Sequence, residues 1–139
     1  MSADSSLVQP PALTDACGAC ALAAEEALRC AEAFEDTEPS RDQDVAQCVD
    51  ACHDAFTVLT ATSVMLERPV HPARMPAIRR MLEAGLVAAV ECAAQCDLWP
   101  DALPAAATCA QQCHGCSDVL RAALREVADE SVDEMSGAT

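Results

Sequence analysis

The sequence predicts an all-α protein, an antiparallel up-down four-helix bundle with a cysteine-lined core. Three observations carry this. The chain has 139 residues and is rich in alanine, with two Phe, one Trp and no Tyr, a composition that favours helix over sheet. Four segments repeat apolar residues at steps of three and four, the period of one helix face. Cysteines recur at those same steps inside the segments, at Cys17/Cys20, Cys48/Cys52, Cys92/Cys96 and Cys109/Cys113/Cys116, with Cys30 standing alone. Such spacings put two thiols about one turn apart on one face.

The elements follow in order. Residues 1–12 are polar around Pro10-Pro11 and read as a disordered lead. Thr14 or Asp15 can cap a first helix running to about Glu35, with a stripe of Cys17, Cys20, Ala24, Ala27, Ala31 and Phe34 and with Cys30 beside it. Ser40, with Gln43 three positions on, makes a capping box for a second helix. That helix runs to about Glu67 with Val45, Cys48, Cys52, Ala55, Leu59 and Leu66 on its stripe. Pro69 and Pro72 break it. A third helix starts near Ala73–Pro76 and ends near Leu98, its stripe Ile78, Met81, Gly85, Ala88, Cys92 and Cys96 or Trp99. Asp101 caps a fourth, with Pro104 in its first turn, where proline is tolerated. Its stripe is Cys109, Cys113, Cys116, Leu120, Leu124 and Val127, ending near Asp129. The bundle thus occupies 13–129, and 130–139 read as a frayed acidic tail. Short connections imply antiparallel neighbours. Cys-x-x-x-Cys-His occurs at Cys48–His53 and at Cys109–His114, a faint trace of duplicated hairpins.

Charge and hydropathy narrow the function. The formal net charge is −15, which argues against a nucleic-acid or anionic-membrane surface. The longest apolar stretch, Leu86–Val90, is too short to span a bilayer. Met1 to Pro11 lacks the pattern of a signal peptide, so a cytoplasmic location is expected. In that reducing compartment ten cysteines favour metal or redox chemistry over structural disulfides.

Counting from the end that holds the helix 1–2 and helix 3–4 turns, Cys30, Cys48, Cys92 and Cys109 lie at similar depth, about 3 Å apart at most at 1.5 Å per residue. One cysteine from each helix is therefore expected in one layer. Cys52 and Cys113 form a deeper layer, Cys96 a shallower position, and Cys116 approaches the depth of Cys20, with Cys17 beyond. Met81 shares the depth of Cys116, and Met65, Met75 and His71 fall near the opposite end. His53 and His114 follow cysteines directly and so point about 100° away from them.

Thiolates select Cu(I), Zn(II) or iron–sulfur clusters. Zinc sites commonly take ligand pairs from turns, whereas these pairs lie within helices, which places zinc third. A column of cysteine pairs suits several Cu(I) ions sharing thiolates, with all of Cys17, Cys20, Cys30, Cys48, Cys52, Cys92, Cys96, Cys109, Cys113 and Cys116 as candidate ligands. A four-cysteine layer equally suits one [4Fe-4S] cluster for electron transfer or redox sensing.

Around Cys17-Gly-Ala-Cys20, Cys48-Val-Asp-Ala-Cys52-His53, Cys92-Ala-Ala-Gln-Cys96 and Cys109-Ala-Gln-Gln-Cys113-His-Gly-Cys116, the chain resembles the cysteine-rich four-helix-bundle copper storage proteins over roughly residues 13–128. The resemblance implies a four-helix bundle with Cu(I) held along its core by thiolates, cytoplasmic residence and self-association. It also implies that Met and His near one mouth help copper enter, a role that Met65, Met75, Met81 and His71 match by position. Storage members line nearly the whole core with cysteine. Here Ala24, Ala27, Ala31, Gly85 and Ala88 occupy stripe positions, so a lower capacity is expected. No nucleophile–base–orienter set stands out, and an enzyme is not expected. The Cys109–Cys116 spacing matches radical-SAM cluster ligands, but those enzymes need a large α/β barrel that this chain is too short to form.

Overall fold

The computed structural model describes residues 10–37, 43–99 and 103–137. Among these residues the chain is all-helical. Helix α1 is Pro11–Thr37, α2 is Gln43–Glu67, α3 is Met75–Asp97 and α4 is Pro104–Gly137, with one 3₁₀ turn at Pro72–Arg74 leading into α3.

The helix starts are set by proline. The Pro10 carbonyl accepts the N–H groups of Leu13 and Thr14 at 3.0 and 3.2 Å. Pro11 therefore opens α1, three or four residues before the predicted Thr14 or Asp15 cap. Its missing N–H has no intrahelical use at that position, and its fixed φ suits a first turn. Pro104 opens α4 in the same way. The expected caps Ser40 and Asp101 lie outside the described residues. Helix α4 runs to Gly137, past the expected stop at Asp129.

Each helix packs on two others. α1 meets α2 and α4, α3 meets α4 and α2, and α1 and α3 barely touch. The pairs that meet run in opposite order along neighbouring helices. Cys17 faces Ser63 while Glu35 reaches His53. Cys20 meets Cys116, whereas Cys30 groups with Cys109. Cys92 meets Cys52 and Cys109, and further down Gly85 sits against Leu59, Thr62 and Leu120.

The core divides by residue type. Toward the end of α1, the start of α2 and the end of α3, the buried residues are cysteines and alanines together with Phe34 and Val45. Away from that end, Leu13, Leu59, Leu66, Ile78, Leu82, Leu120 and Val127 fill the interior. Gly85 marks a close approach there. A Cβ on it would lie 3.2 Å from Thr62 Oγ1 and 3.5 Å from Leu59 and Leu120 methyls. Burial also repeats between the two hairpins. Val45, Cys48, Cys52, Ala55 and Leu59 on α2 correspond in spacing to Ala106, Cys109, Cys113, Cys116 and Leu120 on α4, and all are buried. Ala16, Cys20, Ala27, Cys30, Ala31 and Phe34 on α1 likewise match Ile78, Leu82, Ala89, Cys92, Ala93 and Cys96 on α3.

Two stripes are rotated slightly from expectation. On α3, Leu82 and Ala89 are buried where Met81 and Ala88 were expected to face inward. On α1, Cys30 is fully buried and Cys17 lies at the edge of the core. A bundle helix buries an arc wider than one row, so Cys30 beside the row is inside.

Candidate metal centre

All ten cysteines are free thiols, nine of them buried. Cys30, Cys52, Cys96 and Cys109, one from each helix, have Sγ atoms all within 4.8 Å of one another. Cys92, Cys109 and Cys113 form a second such group, sharing Cys109. Sulfurs link the groups. Cys96 lies 3.8 Å from both Cys30 and Cys52. Cys92 is 3.7 Å from Cys52 and 3.5 Å from Cys109. Cys48 interacts with Cys30, Cys52 and Cys96. Seven sulfurs therefore form one contiguous cluster.

The four-helix group is not the expected one. Cys30 and Cys109 belong to it, but α2 contributes Cys52 in place of Cys48, and α3 contributes Cys96 in place of Cys92. Counting Cα depth along the helices does not resolve which of two cysteines one turn apart brings its Sγ into the common group.

Cys20 and Cys116 stand apart. Their sulfurs are 3.8 Å from each other and both are buried, yet neither belongs to the two groups. Cys17 is partly exposed. Its thiol donates to the Ser63 carbonyl at 3.4 Å and lies 3.6 Å from Ser63 Oγ, which donates to the Cys17 carbonyl at 2.9 Å. The cysteine pattern gave no sign of this partner, since Ser63 reads simply as a small polar residue on the α2 stripe.

His53 and His114 are on the outside. His53 Nε2 lies 2.8 Å from Glu35 Oε1, and His114 Nε2 lies 2.8 Å from Asp97 Oδ2. Each imidazole thus spans its own hairpin next to a clustered cysteine. His71 is exposed, and Met65, Met75 and Met81 are half-buried, the first two packed on the leucine-rich part of the core. His71 belongs to neither sulfur group. Near the crowded end Phe34 and Trp99 meet edge to face, centroids 6.2 Å apart.

Hydrogen bonding between sulfurs divides the cluster into acidic and proton-holding thiols. Cys109, then Cys48 and Cys52, act on Cys30 and hold it down to about 5. Cys109 and then Cys92 hold Cys113 down to about 4. Cys109, Cys30 and Cys52 push Cys96 well below the ordinary thiol range. Cys48 is also lowered, by Cys52 and Cys96, against a larger opposing effect of Cys30. Cys52 is raised by its bonds to Cys109, Cys30 and Cys48, and Cys109 by those to Cys113 and Cys30. Cys92 is raised by Cys113 and Cys96, against the opposing influence of Cys109, the largest single contribution. Cys20 is raised by its bond to Cys116 and by burial. Sulfurs in such contact can bind a soft cation by exchanging their protons for metal.

Comparison with protein-family models, curated proteins and solved structures finds no match to this chain. Among the described residues no helix is long and apolar enough to cross a membrane. What the residues themselves provide is a buried thiol cluster able to hold metal.

Proposed function

We propose that this protein binds and sequesters Cu(I) through core cysteine thiolates, in an antiparallel up-down bundle whose core is cysteine-lined at one end. The observation that carries this is the buried quartet Cys30, Cys52, Cys96 and Cys109, drawn from four helices and continuous with Cys48, Cys92 and Cys113. Soft thiolates suit Cu(I), as they suit Zn(II) and iron–sulfur clusters. A contiguous set of seven sulfurs lets neighbouring ions share ligands, which a single closed site does not need. The sulfur spacing supports direct coordination. Ligands at a metal–sulfur distance of about 2.3 Å sit roughly 3.8–4.0 Å apart in tetrahedral or trigonal geometry, close to the 3.5–3.8 Å contacts here. The cargo would be a cytosolic metal-ion pool, the partner being the ion itself. The likeness to the copper storage proteins supports the same reading, with the smaller cysteine set limiting capacity.

A second reading is a [4Fe-4S] protein for electron transfer or redox sensing, favoured by the one-cysteine-per-helix quartet. A cube of iron and sulfide stands between its cysteine sulfurs, so the helices around these touching thiols would have to separate. Anaerobic titration of the reduced protein with Cu(I) against a competing chelator, with metal and sulfide analysis of protein as purified, tests both. Several tightly held Cu(I) ions per chain support sequestration. Bound iron with sulfide, or a single zinc and no Cu(I) uptake, overturns it.

A further inference from the structure

The seven-sulfur cluster is buried, which raises the question of how cargo reaches it. The core away from the crowded end is packed with Leu13, Leu59, Leu66, Ile78, Leu82 and Leu120, all fully or nearly fully buried. That packing gives a cation no ligand. Met75 and His71 lie beyond it, and His71 is exposed without joining any sulfur group. Entry from that end past the methionines has no ligand path through the leucines.

A different set of thiols reaches the surface. Cys17 is the one cysteine of the ten that is not buried. It lies one turn before Cys20 on α1, close enough to act on it electrostatically. Cys20 touches Cys116 at 3.8 Å. Cys116 follows Cys113 by one turn on α4, and Cys113 groups with Cys92 and Cys109. The reciprocal contacts with Ser63 hold the α1 backbone and the Cys17 thiol against α2. Beside Ser63 a groove of about 240 Å³ opens between the helices, lined by Ala24, Glu25, Phe56, Thr60 and Glu67 among others.

We propose that Cys17, Cys20 and Cys116 form a second thiol site, an exchange site through which Cu(I) carried by an external thiolate compound passes to the buried cluster. This rests on the Cu(I) reading above. Each step is a ligand exchange with no change of oxidation state. A new Cu–S bond forms to Cys17, and one Cu–S bond to the carrier breaks. The proton released by the Cys17 thiol goes to the departing carrier sulfur. The ion then passes to Cys20 and Cys116 and on to Cys113, making one sulfur bond as it breaks another, and any proton on the receiving thiol moves to the sulfur just released. Because Ser63 accepts from the Cys17 thiol through its carbonyl, that sulfur is held at the rim, with its lone pairs free for an incoming ion.

The test is rapid-mixing transfer of Cu(I) from its glutathione complex to reduced wild-type, Cys17→Ser and Cys48→Ser proteins, followed by the rise of thiolate–Cu(I) absorbance and by final stoichiometry. Cys17→Ser should slow transfer by about tenfold, equivalent to about 1.4 kcal/mol of barrier, while final capacity falls by no more than one ion. Cys48→Ser should lower capacity. Circular dichroism checks that each variant folds, and a Cys17→Ala protein replaces any that does not. An unchanged rate in the folded Cys17 variant overturns the exchange site while leaving sequestration intact. Failure of wild-type protein to take up any Cu(I) overturns sequestration itself and the exchange site with it.

Discussion

Cys109 belongs to both sulfur groups, and Cys48 to neither. Removing the Cys109 thiol takes a shared ligand from two neighbouring coordination sets. Cys109→Ala should therefore lose more Cu(I) capacity than Cys48→Ala in the same chelator competition, and equal losses would show that the two groups do not act as linked sites. Acidity at single residues makes a further prediction. Cys30 and Cys113 are held to about 5 and about 4 from an ordinary 9.0. Between those values and pH 9 the unfolded chain binds protons at these sites that the folded protein does not, so apo-protein stability rises with pH. The contribution of Cys30 is complete above pH 9 and gone below about 5, that of Cys113 below about 4. Above pH 9 the sign reverses, because Cys52, Cys109, Cys92 and Cys20 keep protons that the unfolded chain releases. Urea unfolding of reduced, metal-free protein at pH 5, 7 and 9 should give rising stability, and the rise should flatten in a Cys30→Ser, Cys113→Ser variant. A flat wild-type profile would contradict the assigned acidities.

At the scale of helices, Gly85 lets α3 close on α2 and α4, its missing side chain leaving space within van der Waals reach of Thr62, Leu59 and Leu120. Gly85→Leu should cost about 1–3 kcal/mol, as overpacking of a tight core does. Thermal and urea unfolding measure it, and an unperturbed stability would mean that the helices separate there at little cost. The helices and the inward side of nearly every cysteine were legible from spacing alone, because a 3.6-residue period fixes which side chains share a face. The starts of α1 and α4 were less legible, since Pro11 and Pro104 can end a loop or open a helix with equal local logic. The register of the quartet was misread by one turn on α2 and α3. Sequence counting places Cα atoms, whereas ligand geometry depends on where the Sγ atoms lie. Cys17 shows a further limit. Its position on the apolar stripe is clear, but its capture by Ser63 at the rim depends on a residue 46 positions away.

Over the whole molecule, two hairpins with matching burial each deliver sulfur to a common interior. The clamps repeat too, with Glu35 on His53 in one hairpin and Asp97 on His114 in the other. These exposed pairs contribute little to stability on their own. The sulfurs also bridge the hairpins, since Cys30 and Cys52 come from one and Cys96 and Cys109 from the other. In the metal-free protein that junction includes sulfur–sulfur contacts at 3.7–3.8 Å among small side chains. An ion bound there is a ligand of the folded state alone, because the unfolded chain does not hold four such sulfurs together. Binding must then raise stability by about 2.7 kcal/mol when free metal stands at a hundred times its dissociation constant, and by about 4.1 at a thousand times. The urea midpoint of the Cu(I)-loaded protein should accordingly exceed that of the apo protein and return to it when a chelator strips the ion. The Cys52→Ala, Cys109→Ala double variant, which takes one ligand from each hairpin, should lose most of this increment even where residual copper remains bound. If loaded and apo proteins unfold at the same urea concentration, the metal is held at the periphery and the junction between hairpins is not its site.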